Sequence, residues 1–183
     1  MKKTILTFGL ISGALSSLMM VATVPFIDKI GIDKGEYVGY SAIVLSFLLV
    51  FFGIRSYRDN VGNGQITFAK GFFVGISITL ISCVFYVLTW EALYFTLLHD
   101  FMDKYSSYMV AKLQASGASA AAVQAQIQQL KKYKELYENP FFNAAMTFIE
   151  PFPVGLVITL ISAAILRRKP QSQLAQSPLP ASR

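Results

Sequence analysis

The chain has 183 residues, of which 54% are hydrophobic and only 14% charged, and its mean hydropathy is +0.51. A soluble domain carries about 25% charged residues, so this composition excludes an ordinary soluble globule and points to a membrane protein. The formal charge of +6 does not mark a nucleic-acid binder, because the cations sit at the ends of apolar runs rather than on one soluble face.

Lys2 and Lys3 precede an apolar run that forms a first span near 4–27. A signal peptide has an apolar core of about 7–15 residues. This run is longer and closes at Pro25 and Asp28 without an A-x-A site, so a retained span is expected. Gly9, Ser12, Gly13, Ser16 and Ser17 have spacings that allow close helix approach, although membrane helices are commonly rich in such residues. Residues 28–36 read as a short polar loop with two glycines. A second span near 36–55 ends at Arg55 and Arg58. Asn63-Gly64 then signals a turn, and the glycines around it match no phosphate-binding pattern.

A third span is expected near 71–93, and no breaker follows it. Tyr94, Leu98, Phe101, Tyr105, Tyr108 and Met109 continue at helical spacing, which predicts one helix from Gly71 to Gln114. Such a helix would be roughly 66 Å long, against a bilayer core of about 30 Å. Gly117 and Ser119 suit a helix stop and a new cap. Val123, Ile127, Leu130, Lys134 and Tyr137 then share one face of an amphipathic return helix. Residues 94–139 are therefore expected to form a helical hairpin, with a free partner-binding helix face as the competing reading. Asn139-Pro140 turns the chain into a fourth span near 141–166, closed by Arg167, Arg168 and Lys169. The tail 170–183, rich in Pro, Ser, Gln and Ala, is expected to be disordered and cytoplasmic.

Nine cations fall in the N-terminus, the Arg55–Lys70 segment and the C-terminal segment, whereas the first loop has Lys29 and Lys34 offset by Asp28, Asp33 and Glu36. Short basic segments stay in the cytoplasm. The expected fold is thus an all-α, four-helix transmembrane bundle with both termini inside and the hairpin outside. Arg55, Arg58, Arg167, Arg168 and Lys169 would be its cytoplasmic anchors.

The segment Phe52–Phe72, with FGIRSYRDNVGNGQITFAKGF, resembles the central motif of domain-of-unknown-function family 4199. Gln114–Ser119 and Val154–Lys169 are similar to that family's hairpin tip and last span. The resemblance covers nearly everything before the tail. It implies a small four-span protein of the bacterial inner membrane, and it implies no activity.

Cys83 is the only cysteine and His99 the only histidine, which excludes an internal disulfide and a His-rich metal site. No nucleophile motif is present, so no catalytic residue, metal or cofactor is expected, and the chain does not read as an enzyme. The unusual groups are Glu91 and Glu150, because an acid within a span is costly. Counted from Lys70, Glu91 falls roughly 31 Å along its helix, at the outer interface. Counted from Arg167, Glu150 falls roughly 25 Å along, just inside the outer boundary. Pro151 and Pro153 beside it favour a kink. The octapeptides Gly75–Ser82 and Gly155–Ser162 echo each other, a likeness that common membrane composition produces by chance. The leading reading is a non-enzymatic structural or interaction protein, contacting the lipid bilayer and an envelope partner or a second copy. The alternative is a small oligomeric transporter or channel using Glu150.

Overall fold

The computed structural model describes residues 1–168; Lys169 and the tail 170–183 lie outside the described residues. The helices are α1 (Lys2–Thr23), α2 (Ile27–Ile30), α3 (Ile32–Asn60), α4 (Phe68–Thr96), α5 (Phe101–Ala115), α6 (Ala120–Tyr137), α7 (Pro140–Ile149) and α8 (Pro151–Leu166), with a 3-10 turn over Val24–Phe26. The described chain is all-α, and α1, α3, α4 and the α7–α8 segment are each long and apolar enough to cross a membrane. Helices suit such apolar stretches because lipid offers the backbone no hydrogen-bond partner.

The surface is as apolar as the interior. Only 28–39% of each span's most hydrophobic window is buried. Leu10 on α1, Leu45 on α3, Leu88 on α4 and Ile165 on α8 all face outward. Lipid can cover these side chains, so their exposure carries no aqueous cost.

Within the bundle, α3 and α4 each pack against both α1 and α8. Small residues set these approaches. A Cβ at Gly9 would lie 2.9 Å from the Cβ of Ile81, and one at Gly13 would lie 2.8 Å from that of Phe85. Ser12 Oγ donates to the Ser46 carbonyl at 2.8 Å, and Thr89 Oγ1 donates to Ser17 Oγ at 2.7 Å. The two echoing octapeptides lie against each other in the α4–α8 contact. Gly75 faces Thr159, Gly155 faces Thr79, and the two threonine hydroxyls meet at 3.1 Å. The likeness therefore has a packing reason. An antiparallel helix pair with local two-fold symmetry needs the same small residue opposite the same threonine on both sides.

Three expectations are corrected. The first connection is not a polar loop. It is helical except at Gly31, whose φ of 81° breaks α2 from α3. The helix α3 consequently begins at Ile32 and runs past Arg55 to Asn60. The third span does not continue as one long helix, because α4 stops at Thr96 and α5 starts at Phe101. Both Leu97 and Leu98 N–H groups donate to the Leu93 carbonyl there, closing the turn. Tertiary packing explains a break that no Gly or Pro signals. The redirection buries Leu98 and Met102 and stands the Phe101 ring edge-on to Trp90, with centroids 5.2 Å apart. Finally, α6 packs on α5 less fully than its pattern suggests. Leu130 is buried, but Ile127 stays 37% exposed.

The basic segments gather at one end of the bundle. Phe8 of α1 lies against Gly53 of α3, which sets the start of α1 beside the end of α3. An isolated antiparallel bridge pairs Ile66 with Arg168, with N–H···O distances of 3.1 and 2.9 Å. It ties the α3–α4 loop to the end of α8. Arg58 is buried and grips the neighbouring Asp59 with two hydrogen bonds of 2.7 and 3.2 Å, whereas Arg55, Arg167 and Arg168 are exposed.

At Gly155 a Cβ would collide with Thr79 Cγ2, whereas Gly39 has open space around it. We expect Gly155→Ala to cost about 1–3 kcal/mol through overpacking. Gly39→Ala should instead stabilise by up to about 1 kcal/mol, since alanine is the better helix former. Thermal unfolding in detergent measures both, and an equal response at the two sites would contradict the packing described.

Candidate functional site

The site begins with a polar stripe on an apolar helix. Asn143, Thr147 and Glu150 are spaced four and three residues apart and so share one face of the fourth span. Asn139 caps this segment, its Oδ1 accepting from the Phe141 and Phe142 N–H groups at 2.9 and 3.3 Å, and Pro140 occupies the first turn where no N–H is needed.

Asn143 has no solvent exposure and satisfies several groups at once. Its Oδ1 accepts from Trp90 Nε1 at 3.1 Å and from Thr147 Oγ1 at 3.2 Å, while its Nδ2 donates to the Tyr137 carbonyl at 3.2 Å. Trp90 Nε1 also lies 3.1 Å from the Tyr137 hydroxyl. One asparagine thus joins the end of α6, the outer part of α4 and the start of α7. Rings close around it, with Tyr94 edge-on to Tyr137 at 5.2 Å and Tyr133 edge-on to Phe142 at 5.9 Å. Burial pushes the Tyr137 phenol up to about 12.

One turn deeper, Glu150 Oε2 accepts a hydrogen bond from the Tyr86 hydroxyl at 3.1 Å. Glu150 is the residue between α7 and α8, where Pro151 and Pro153 lack the N–H groups that would continue the helical ladder. Pro151 is buried and Pro153 exposed. Glu150 and Tyr86 border a cavity of about 630 Å³. Its walls come from the end of α1, the start of α3 and the last turns of α4, from α5 and α6, and from α7. Glu36 and Tyr40 of α3 line the same space.

Ion pairs hold α5 over this space. Lys104 reaches Asp28 at 2.9 Å and Asp100 at 3.0 Å, and Lys112 reaches Asp33 at 2.9 Å. The hydrogen bonds that Lys104 donates to Asp28 and Asp100 raise its ammonium above the ordinary lysine value. Lys134 on α6 pairs with Asp103 on α5. All these pairs are exposed, so they orient the α5–α6 pair more than they stabilise it.

Glu91 does not join this group. It lies elsewhere on α4, half-buried, and its Oε1 is shielded with no hydrogen-bond partner among the described residues. His99 is exposed, Cys83 is fully buried, and no three His, Cys, Asp or Glu residues gather among the described residues. Reading the sequence for charges found Glu150 but missed Tyr86, Glu36, Tyr40 and Asn143. Two signals could have found some of them. Asn143, Thr147 and Glu150 form a visible stripe, and Tyr86 sits 16 residues past Lys70, roughly 24 Å along its helix and level with Glu150.

A comparison with protein families matches residues 7–168 to the family described as Protein of unknown function (DUF4199). No curated protein and no solved structure matches the chain.

Replacing Glu150 by leucine should leave the Tyr86 hydroxyl without its acceptor and cost about 1–3 kcal/mol, while Glu150→Gln keeps an acceptor and should unfold near the wild-type temperature. Equal loss in both variants would show that charge, not the hydrogen bond, supports the site. A second expectation concerns pH. The folded Tyr137 phenol titrates above its ordinary 10.0, so its contribution is complete below pH 10 and is lost as pH rises through about 12. Tyr137→Phe should flatten that alkaline limb of the stability curve, and an unchanged limb would place the phenol in water.

Proposed function

The chain belongs to DUF4199, a family of unknown function, and from that premise we propose that it is a non-enzymatic interaction protein of the bacterial inner membrane. In this reading both termini are cytoplasmic, and the α5–α6 pair stands on the outer side as a helical hairpin. The cavity between that pair and the outer ends of the spans is where the protein meets its ligand or partner.

The observation that carries this reading is the cavity itself. It is built from nearly every helix and has an intramembrane carboxylate at its floor. A half-buried acid in an apolar span, with no ion-pair partner among the described residues, is a functional group by default. The non-enzymatic reading follows from the missing nucleophile motifs in the sequence and from how two reactive side chains are engaged. Cys83 is sealed in the core and Glu150 is held by a phenol, so neither is paired with a base.

The transport alternative draws on the same Glu150. Against it, the space is one-sided in a single copy. Below Glu150 the bundle closes through Val50, Val74, Ile78 and Thr79, all with no exposure. An interaction site needs one opening, whereas a transport path needs two.

The topology has a direct test. Single cysteines introduced as Asn60→Cys and Ser119→Cys, each in a Cys83→Ser background, are treated with an impermeant thiol reagent on intact cells. Ser119→Cys should label and Asn60→Cys should not. The reverse pattern would turn the protein over and put the cavity on the cytoplasmic side.

A further inference from the structure

We propose that the outer cavity binds an organic cation bearing apolar substituents, such as a hydrophobic quaternary onium or a protonated lipophilic amine. The inference rests on the reading above that this cavity is the interaction site, and it adds the chemistry of the ligand.

The charge balance of the walls is one-sided. Glu36 and Glu150 line the cavity, and among the described residues no lysine, arginine or histidine does so. Of the lysines at this end, Lys104 is paired with Asp28 and Asp100 and Lys112 with Asp33. An anionic ligand or an anionic lipid headgroup would meet two acids and no counter-charge. A cation finds a carboxylate at the floor with its phenol partner already in place.

The rest of the wall decides what kind of cation. Tyr40, Tyr86, Trp90, Tyr105, Tyr133 and Tyr137 border the space. Aromatic faces attract onium groups, most strongly where water is excluded. Met19, Met20, Met102, Met109 and Met146 make up much of the remaining wall. Methionine is apolar and adaptable, so it suits varied hydrophobic substituents rather than one fixed shape. A small hydrated metal ion would leave that wall unused and would have only two separated carboxylates for ligands. A volume of about 630 Å³ falls within the range of small-molecule sites. Glu150 lies just below the outer boundary of the bilayer core by helix count, within reach of a ligand that enters from the lipid–water interface.

Trp90 is the only tryptophan in the chain and it lines the cavity, so its fluorescence reports occupancy. The test uses purified protein in phosphatidylcholine nanodiscs, with tetraphenylphosphonium and tetraphenylborate as probes of equal shape and opposite charge. Empty nanodiscs correct for partitioning into lipid. The expected result is saturable quenching by the phosphonium, with affinity at least tenfold above that for the borate. Glu150→Gln should weaken phosphonium binding at least tenfold without moving the unfolding temperature. Should that variant unfold, Glu36→Gln carries the same test from the other acid and should weaken binding in the same direction. Equal saturable binding of both ions would overturn the cation assignment while leaving the cavity a binding site. Unchanged phosphonium affinity in both Gln variants would also overturn it. No saturable Trp90 response to either probe would overturn both this inference and the reading it rests on.

Discussion

Lipid tails are as apolar as leucine, so the hydrophobic effect does not press one span against another. What holds these helices together is close contact at small residues, reinforced by hydroxyl hydrogen bonds. The contact between α4 and α8 is the clearest case. Gly75 and Gly155 each remove a side chain opposite a threonine, and this brings Thr79 and Thr159 within hydrogen-bond distance. The same rule governs α1, where Gly9 and Gly13 admit Ile81 and Phe85. In this way α4 becomes the helix on which the others are arranged, touching α1, α3, α7 and α8.

The tight middle has a consequence at the end away from the basic segments. Helices are drawn together by small residues at mid-depth, and beyond it Tyr86 and Trp90 of α4 line a gap between the elements. Rings of α5, α6 and α7 fill part of that gap, and Asn143 satisfies the polar groups they bring. What remains open is the cavity above Glu150. The carboxylate is therefore at the boundary between a closed, apolar lower half and a wider, aromatic upper half. Pro151 and Pro153 mark that boundary in the backbone, since the helical ladder is interrupted where the packing changes.

The two ends of the molecule use charge differently. At the basic end, arginines flank a loop that is tied by backbone to the end of α8, and Arg58 is neutralised by Asp59. At the other end, Lys104 and Lys112 of α5 and Lys134 of α6 are matched by aspartates on other elements or on the same helix pair. Beneath these pairs two acids, Glu36 and Glu150, face a space lined by no cation among the described residues.

Sequence alone determined the all-α class and the four spans, because a bilayer demands long apolar helices and the runs between basic residues supply them. It also determined the family, which the match over residues 7–168 shows. It singled out Glu150, because an acid in an apolar run is visible without any structure. Only the tertiary structure decided the break between Thr96 and Phe101. No Gly or Pro there breaks the helix, and the turn goes with the packing of Phe101 and Met102 against Trp90 and Tyr137. Gly31 likewise leaves the first connection nearly all helical, where glycine and charge content suggested a loop. The meaning of the echo between Gly75–Ser82 and Gly155–Ser162 was hidden for a similar reason. A repeated pattern does not say what it packs against, and here each copy packs against the other. The partner of Glu150 was also beyond the sequence, since Tyr86 is 64 residues away and only the fold brings its hydroxyl to the carboxylate.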